Sequence, residues 1–304
     1  MEEHLDNLRL ELTQPRRRKP GTIATYLSTA SIFLTWLGDR IPPSRQDFLR
    51  WFAWQEDQGI SARTRGTRFQ QLKRLYKACG WTWEFESVDK PIPEEEPFTP
   101  AFTPDEVRLI ISKIGEYTKQ QAFYLAISTI WGRRSEEMGR VTPKDIKDGM
   151  ITFDLAKKRI PTRRTYIIPE SVAPYLSQWR PRKRSSTAVC YNFREMMERS
   201  GLGPRPHWGW HSFRRTLLTM LMIELAKGGY PPSMAADYMG WSKTTIGQQF
   251  YQSAMVGVYT HPEIMSSDPY ELDRIVHSVH PFLGDYDSNE NRQVEEEDSA
   301  DKGG

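Results

Sequence analysis

The 304-residue chain has only two cysteines, Cys79 and Cys190. That excludes a disulfide framework and a cysteine-rich zinc site. It has no window approaching the ~20 uninterrupted apolar residues of a membrane-spanning helix. Its first residues, MEEHLDNLRLELTQ, lack the apolar stretch of a secretion signal, which predicts a cytoplasmic protein. No internal repeat is visible. A carboxylate cluster able to hold catalytic metal ions is also missing, since Glu137 and Asp145 do not amount to one. What remains is a polar, globular composition, 38% apolar and 27% charged.

The net charge of +3 conceals an asymmetry. The last twenty residues hold eight acids and two bases, and the rest of the chain holds 40 Lys and Arg against 31 Asp and Glu. A basic body with an acidic tail fits a polyanionic partner better than a small metabolite.

Composition divides the chain. Residues 1–86 are predicted to be a small helical domain. Ile23, Tyr26, Leu27, Phe33, Leu34 and Leu37 share a helical stripe; Ser44 caps a second helix that stops at Gly59; a third runs from Ser61 to Gly80. Residues 87–102 carry Pro91, Pro93, Pro97 and Pro100 and read as a semi-rigid linker. Residues 103–284 form a second domain. It opens on a capping box, Thr103-Pro104-Asp105-Glu106, with Val107, Ile110, Ile111 and Ile114 turned inward. MITFDL and TYIIPE are predicted strands joined by a basic turn, KKRIPTRR. A last amphipathic helix over 269–283 is either core or an element exchanged with a neighbouring subunit. Residues 285–304 are an acidic tail expected to be disordered.

Two regions are dense in cations. Arg16, Arg17, Arg18 and Lys19 precede the first long helix. Arg63, Arg65, Arg68, Lys73, Arg74 and Lys77 lie on the Ser61–Gly80 helix, with no acid among them. A solvated helix face normally mixes signs to gain i,i+4 pairs, so this face is predicted to contact phosphates.

The second domain carries ordered motifs. WGRRSEEM sets Arg134 and Glu137 one turn apart; HSFRRTLLTML sets His211 and Arg214 one turn apart; MGWSKTTIGQQFY contains Trp241 and Tyr251. Each alone has an ordinary reading, as a surface salt bridge, a helix face or packing. Together and in this order they resemble the tyrosine recombinase (phage integrase) family. WGRRSEEM is similar to its T-G-x-R-x-S-E-L segment, HSFRRTLLTML to H-x-L-R-H-T-F-A-T-x-L, and DYMGWSKTTIGQQFY to L-G-H-S-x-x-x-T-T-x-x-Y. The resemblance spans residues 15–283 and implies a mainly α fold with a small β-sheet: a helical core-binding domain plus an α+β catalytic domain.

The resemblance also implies roles. Arg134 and Arg214 would clamp the scissile phosphate, and His211 would be the general base or hydrogen-bond partner. Trp241 stands where most members have a second histidine; its indole N–H can donate but cannot shuttle a proton. Lys157 would protonate the leaving oxygen, with Lys158 the alternative. Tyr251 would be the nucleophile, although it falls tenth after Trp241, where the family spacing of nine gives Phe250. Tyr259 is the competitor. Phosphodiester exchange without metal or ATP needs these four functions: a nucleophile, fixed cations, a proton donor and a base. The expected activity is site-specific DNA recombination or integration through a 3′-phosphotyrosyl intermediate, without cofactors. The alternatives are a non-catalytic DNA-binding protein of the same fold, or a type IB topoisomerase or resolvase. Expected partners are double-stranded DNA, three further copies of the chain on that DNA, and accessory DNA-bending proteins, but no membrane. A nucleoid-associated, viral or mobile-element setting follows from the same resemblance.

Overall fold

Prolines, glycines and hydroxyl caps divide the N-terminal part of the chain into helices. The computed structural model describes residues 1–14, 18–92, 100–156, 162–240 and 268–286. It divides into two compact units, Met1–Phe98 and Thr99–Gly304.

In the first unit, α1 (Glu2–Thr13) precedes α2 (Pro20–Leu37), which has proline at its first position and stops at Gly38. Helix α3 (Arg45–Asp57) begins in a reciprocal cap: Asp47 N donates to Ser44 Oγ at 3.1 Å, and Ser44 N donates back to Asp47 Oδ2 at 3.1 Å. Helix α4 (Ala62–Cys79) starts at Ser61 and ends at Gly80, whose φ of 69° is the left-handed conformation that closes a helix. The buried stripes of these helices meet in an aromatic core of Phe33, Phe48, Trp51, Phe69 and Tyr76, with Leu8 and Leu12 contributed by α1. Phe33 meets Trp51 edge-on at 5.0 Å, and the returning chain lays Trp83 against Phe48 at 5.4 Å.

The second unit starts where Thr103 caps α5 (Pro104–Ser112); Val107, Ile110, Ile111 and Ile114 are all buried. Helix α6 (Lys119–Ile130) is buried from Gln121 to Ile130, so it runs through the middle of the unit. Each such fully buried Leu, Ile or Phe contributes about 1.5–3 kcal/mol. A short α7 (Ser135–Met138) leads to a three-stranded antiparallel sheet, β1 (Ile146–Lys147), β2 (Met150–Leu155) and β3 (Thr162–Ile167), in that order. On β2, Ile151, Phe153 and Leu155 face the core in the two-residue period of a strand.

Strand β3 begins earlier than the TYIIPE segment. Thr162, Arg163 and Arg164 pair with Leu155, Asp154 and Phe153, and Arg163 reaches Asp154 across the ladder at 3.0 Å. The cross-strand ion pair draws those basic residues into the sheet and out of the turn.

Four further helices follow: α8 (Ala173–Ser177), α9 (Ser186–Ser200), α10 (Trp210–Lys227) and α11 (Ser233–Tyr238). The last described helix, α12 (Glu271–Ser278), packs on its own unit. Val276 is buried, Asp273 accepts from Ile167 N at 3.0 Å, and the Tyr286 and Thr129 hydroxyls meet at 2.7 Å. Within this single chain the helix packs on the core of its own unit. The fold is mainly α with one small sheet.

Candidate active site

The site is built on the turn that ends α6. Helix α6 runs into Trp131, and Gly132 reverses the chain with φ of 56°. A Cβ at Gly132 would push aside the end of the Met239 side chain and press on Leu217 at 3.2 Å, and the positive φ favours glycine there. The reversal delivers Arg133 and Arg134 in succession.

Arg134 is the N-cap of α7. Its backbone N donates to Glu137 Oε2 at 3.1 Å and its Nη1 to Glu137 Oε1 at 2.9 Å. Glu137 is fully buried and also accepts from Ala156 N, just past β2, at 2.9 Å. Burial alone would raise its pKa, but Arg133, Arg134 and the two backbone donors hold it below the usual carboxylate range. Glu137 is therefore an ionised strut tying the arginine turn to the sheet.

Arg214 comes from α10. It is 4% exposed, and its Nη1 donates to Gly132 O and its Nη2 to Met239 O at 3.1 Å. Burial, then repulsion from Arg133 and Arg134, pulls its pKa down to about 9, opposed by Glu137 and Tyr166. The structure thus brings Arg134 and Arg214 within electrostatic reach of each other. His211, one turn earlier on α10, is exposed. Trp208 and Trp210 beside it pack: Trp210 Nε1 donates to Val189 O at 2.7 Å, and Trp208 meets the Phe102 ring at 4.5 Å.

Lys157, Lys158, Trp241, Tyr251 and Tyr259 lie outside the described residues, as do Arg16 and Arg17. Lys157 and Lys158 belong to the connection between β2 and β3, and Trp241 directly follows Gly240, the residue after the Met239 carbonyl that Arg214 holds.

The sequence did not single out Arg133, which is completely buried. Its Nε donates to Trp131 O at 2.8 Å and its Nη2 to Tyr238 O at 3.1 Å, and it lies over the rings of Phe153 and Tyr166 at 5.3 and 4.9 Å. The available signal was the doubled arginine after a glycine with only one carboxylate, Glu137, at helical spacing from Arg134.

In the first unit the α4 cations have local partners. Arg65 pairs with Glu56 at 2.6 Å, Arg74 and Lys77 share Glu11 at 3.5 and 2.7 Å, and Arg68 donates to Gln55 Oε1 at 2.6 Å. Lys73 lies over Trp83 at 5.9 Å and Arg18 over Tyr26 at 5.4 Å. Lys19 is the N-cap of α2. Arg63 lines a cleft of about 470 Å³ with Tyr26, Thr67, Gln70 and Lys90. Among the described residues, no group of three or more His, Cys, Asp or Glu is placed to hold a metal ion. No described helix is long and apolar enough to cross a membrane.

No protein-family model matches the sequence, and no curated protein matches it either. Solved structures do. The lambda integrase, residues 75–356, bound to DNA aligns with a TM-score of 0.62 at 17% identity, over 83% of this chain and 95% of that one. A lambda integrase tetramer bound to a Holliday junction gives 0.61 at 16%, over 82% and 76%. The Tn1549 transposon integrase with circular intermediate DNA gives 0.59 at 17%, over 86% and 99%. These neighbours are tyrosine recombinases. At such identities the likeness establishes the fold.

Proposed function

We propose that this chain, folded as the tyrosine recombinases are, is a site-specific DNA recombinase that cuts and rejoins strands through a covalent phosphotyrosine. One observation carries the reading: at the Gly132 turn, Arg133, Arg134 and Arg214 gather around the buried carboxylate of Glu137. Among the described residues these cations outnumber the carboxylates in reach, Glu137 and, beside Arg133, Asp273, and the surplus favours a further anion. A phosphodiester whose non-bridging oxygens gain charge in the transition state suits guanidinium forks. Arg134, 21% exposed, is the member nearest solvent, and Arg214 supports it from α10.

In this reading the Tyr251 phenol gives its proton toward His211, and its oxygen attacks phosphorus. The bond from phosphorus to the 5′ oxygen breaks, and the DNA 3′ end becomes a phosphotyrosine. The departing 5′ oxygen takes a proton from Lys157, while Trp241 donates its indole N–H to the phosphate. The 5′ hydroxyl of a second strand then attacks phosphorus and releases the tyrosine. Every bond broken is replaced by one formed, so the exchange needs no nucleotide cofactor. The cations of the first unit would hold flanking duplex. Exchange between two duplexes takes four sites, and the likeness to a lambda integrase tetramer on a Holliday junction supports a tetramer here.

Covalent capture tests the reading. Wild type and Tyr251→Phe would be incubated with nicked duplexes drawn from DNA flanking the gene, and adducts would be mapped by peptide mass. The expected result is an adduct at Tyr251 that is lost in the variant. An adduct at Tyr259 would keep the reaction and move the nucleophile. Tight, salt-sensitive binding with no adduct would replace the recombinase with a non-catalytic DNA-binding protein.

A further inference from the structure

Two arginines bridge the same two segments in parallel. Arg133 joins Trp131 O to Tyr238 O, through Nε at 2.8 Å and Nη2 at 3.1 Å. Arg214 joins Gly132 O to Met239 O, each one residue further along its segment. A third arginine, Arg164 of β3, donates to Asp237 O, the carbonyl just before this pair. The carbonyls of three consecutive residues, Asp237, Tyr238 and Met239, thus each receive a guanidinium from a different part of the unit.

The last carbonyls of a helix have no donor within the helix and carry its negative end. Three cations there are far more than satisfaction of those oxygens needs. The Tyr166 hydroxyl already donates to Tyr238 O at 2.8 Å, so that carbonyl would keep a partner without Arg133. Arg133 is an expensive donor, being wholly buried, with an Nη1 that has no hydrogen-bond partner among the described residues. Arg133 also helps to hold the buried Glu137 carboxylate ionised, so removing it leaves that charge with fewer cations. Its two hydrogen bonds to carbonyls of separate segments are a geometric role beyond that charge.

We propose that Arg133 is a positioning residue whose bridge fixes the Gly132 turn against the end of α11, so that Arg214 is held from both sides at one orientation. Arg214 makes its own bridge between the same segments. If these slide, its two acceptors part and the guanidinium must choose between them. Arg133 stops the sliding without touching substrate. Lysine cannot replace it, because a single ammonium on a flexible stem does not hold two carbonyls in one plane as a guanidinium does.

The consequence for cleavage rests on the recombinase reading, but the bridge itself does not, and the experiment separates them. Full-length Arg133→Met, Arg133→Lys and Tyr166→Phe would be compared with wild type for thermal stability, duplex affinity, single-turnover adduct formation and amide exchange at Met239 and Gly240. The expected result is that Arg133→Met folds with a lowered melting temperature, because Glu137 loses a cation. It should bind duplex within threefold of wild type, form adduct ten- to a hundredfold more slowly, and exchange those two amides faster. Arg133→Lys should fall between it and wild type, and Tyr166→Phe, which leaves the bridge intact, should lose threefold or less. Wild-type rates in Arg133→Met would overturn the proposal. So would a parallel loss of rate and affinity, failure of both Arg133 variants to fold, or a loss in Tyr166→Phe equal to that in Arg133→Met. If wild type itself makes no adduct, the recombinase reading fails, and the exchange of Met239 and Gly240 decides the bridge alone.

Discussion

Helix α4 and the Gly132 turn are both rich in arginine, and they use it in opposite ways. On α4 the cations sit at the surface and are met by side chains from neighbouring helices: Glu56 takes Arg65, and Glu11 takes Arg74 and Lys77. At the Gly132 turn Arg133 and Arg214 are buried, and backbone carbonyls provide the acceptors given for them. A carbonyl satisfies hydrogen-bonding capacity but carries no net charge. The first arrangement cancels part of its charge, two carboxylates against six cations, in pairs that salt screens and each worth under about 1 kcal/mol. The second leaves its charge standing. The count of cations in a sequence window thus says little about how much charge remains for an incoming anion, whereas the kind of acceptor says a great deal.

Three measurements would break or sharpen this contrast. The largest effect is expected from Arg214→Ala, which should slow adduct formation about a thousandfold while duplex affinity stays within about threefold. A matched loss of affinity would mean that the buried cluster serves as a binding surface, as α4 is expected to do. Next comes the same substitution made in both regions. Glu137→Gln removes a carboxylate of the buried cluster and should cost about 3–5 kcal/mol in denaturant unfolding. Glu11→Gln, which removes a partly exposed partner of Arg74 and Lys77, should cost less than about 1 kcal/mol. Equal costs would erase the distinction.

The smallest effect is on pH. Burial pulls His277 down to about 4 and His280 to about 3, so both rings are neutral when folded and take up protons on unfolding. Their stabilisation is present above about pH 6.5 and drains as the pH falls toward 4. Asp273 opposes them: burial raises it to about 6, so folding favours its protonated form between about pH 4 and 6. Two histidines outweigh one carboxyl, and the second unit should lose about 2–4 kcal/mol between pH 7 and 5. The first unit's shifted acids, Glu11, Asp47 and Glu56, all lie below their ordinary values through hydrogen bonds from Lys77, Ser44 and Arg65, so it should hold until lower pH. Denaturation followed separately in each unit would check this, and His280→Gln should flatten the profile of the second.

Much of the local architecture was legible because short-range chemistry decides it. Ser44, Ser61 and Thr103 cap the helices their positions predict; Gly80 ends one of them, and Gly59, with φ of 70°, follows the end of another at Asp57. The pairing of charges was not legible. Glu11 lies 63 residues before Arg74, and no reading confined to Ser61–Gly80 could find it. Arg133 escaped for a related reason: its acceptors are backbone atoms at positions 131 and 238, and a carbonyl leaves no trace in residue type. Arg134, Glu137 and Arg214 were reached through ordered motifs that resemble the tyrosine recombinases, since their spacing alone reads as ordinary.

The Gly132 turn also bears on how sequences of this kind can drift. Its left-handed backbone favours glycine, and the carbonyl it aims inward is an acceptor for Arg214. A charged residue in the cluster can be traded for another donor at some loss, whereas any other side chain at the turn is strained by the backbone itself. In a saturation library scored for folding alone, position 132 should therefore return a narrower alphabet than position 134. A search for diverged relatives would do well to weight that glycine alongside the arginines of the cluster.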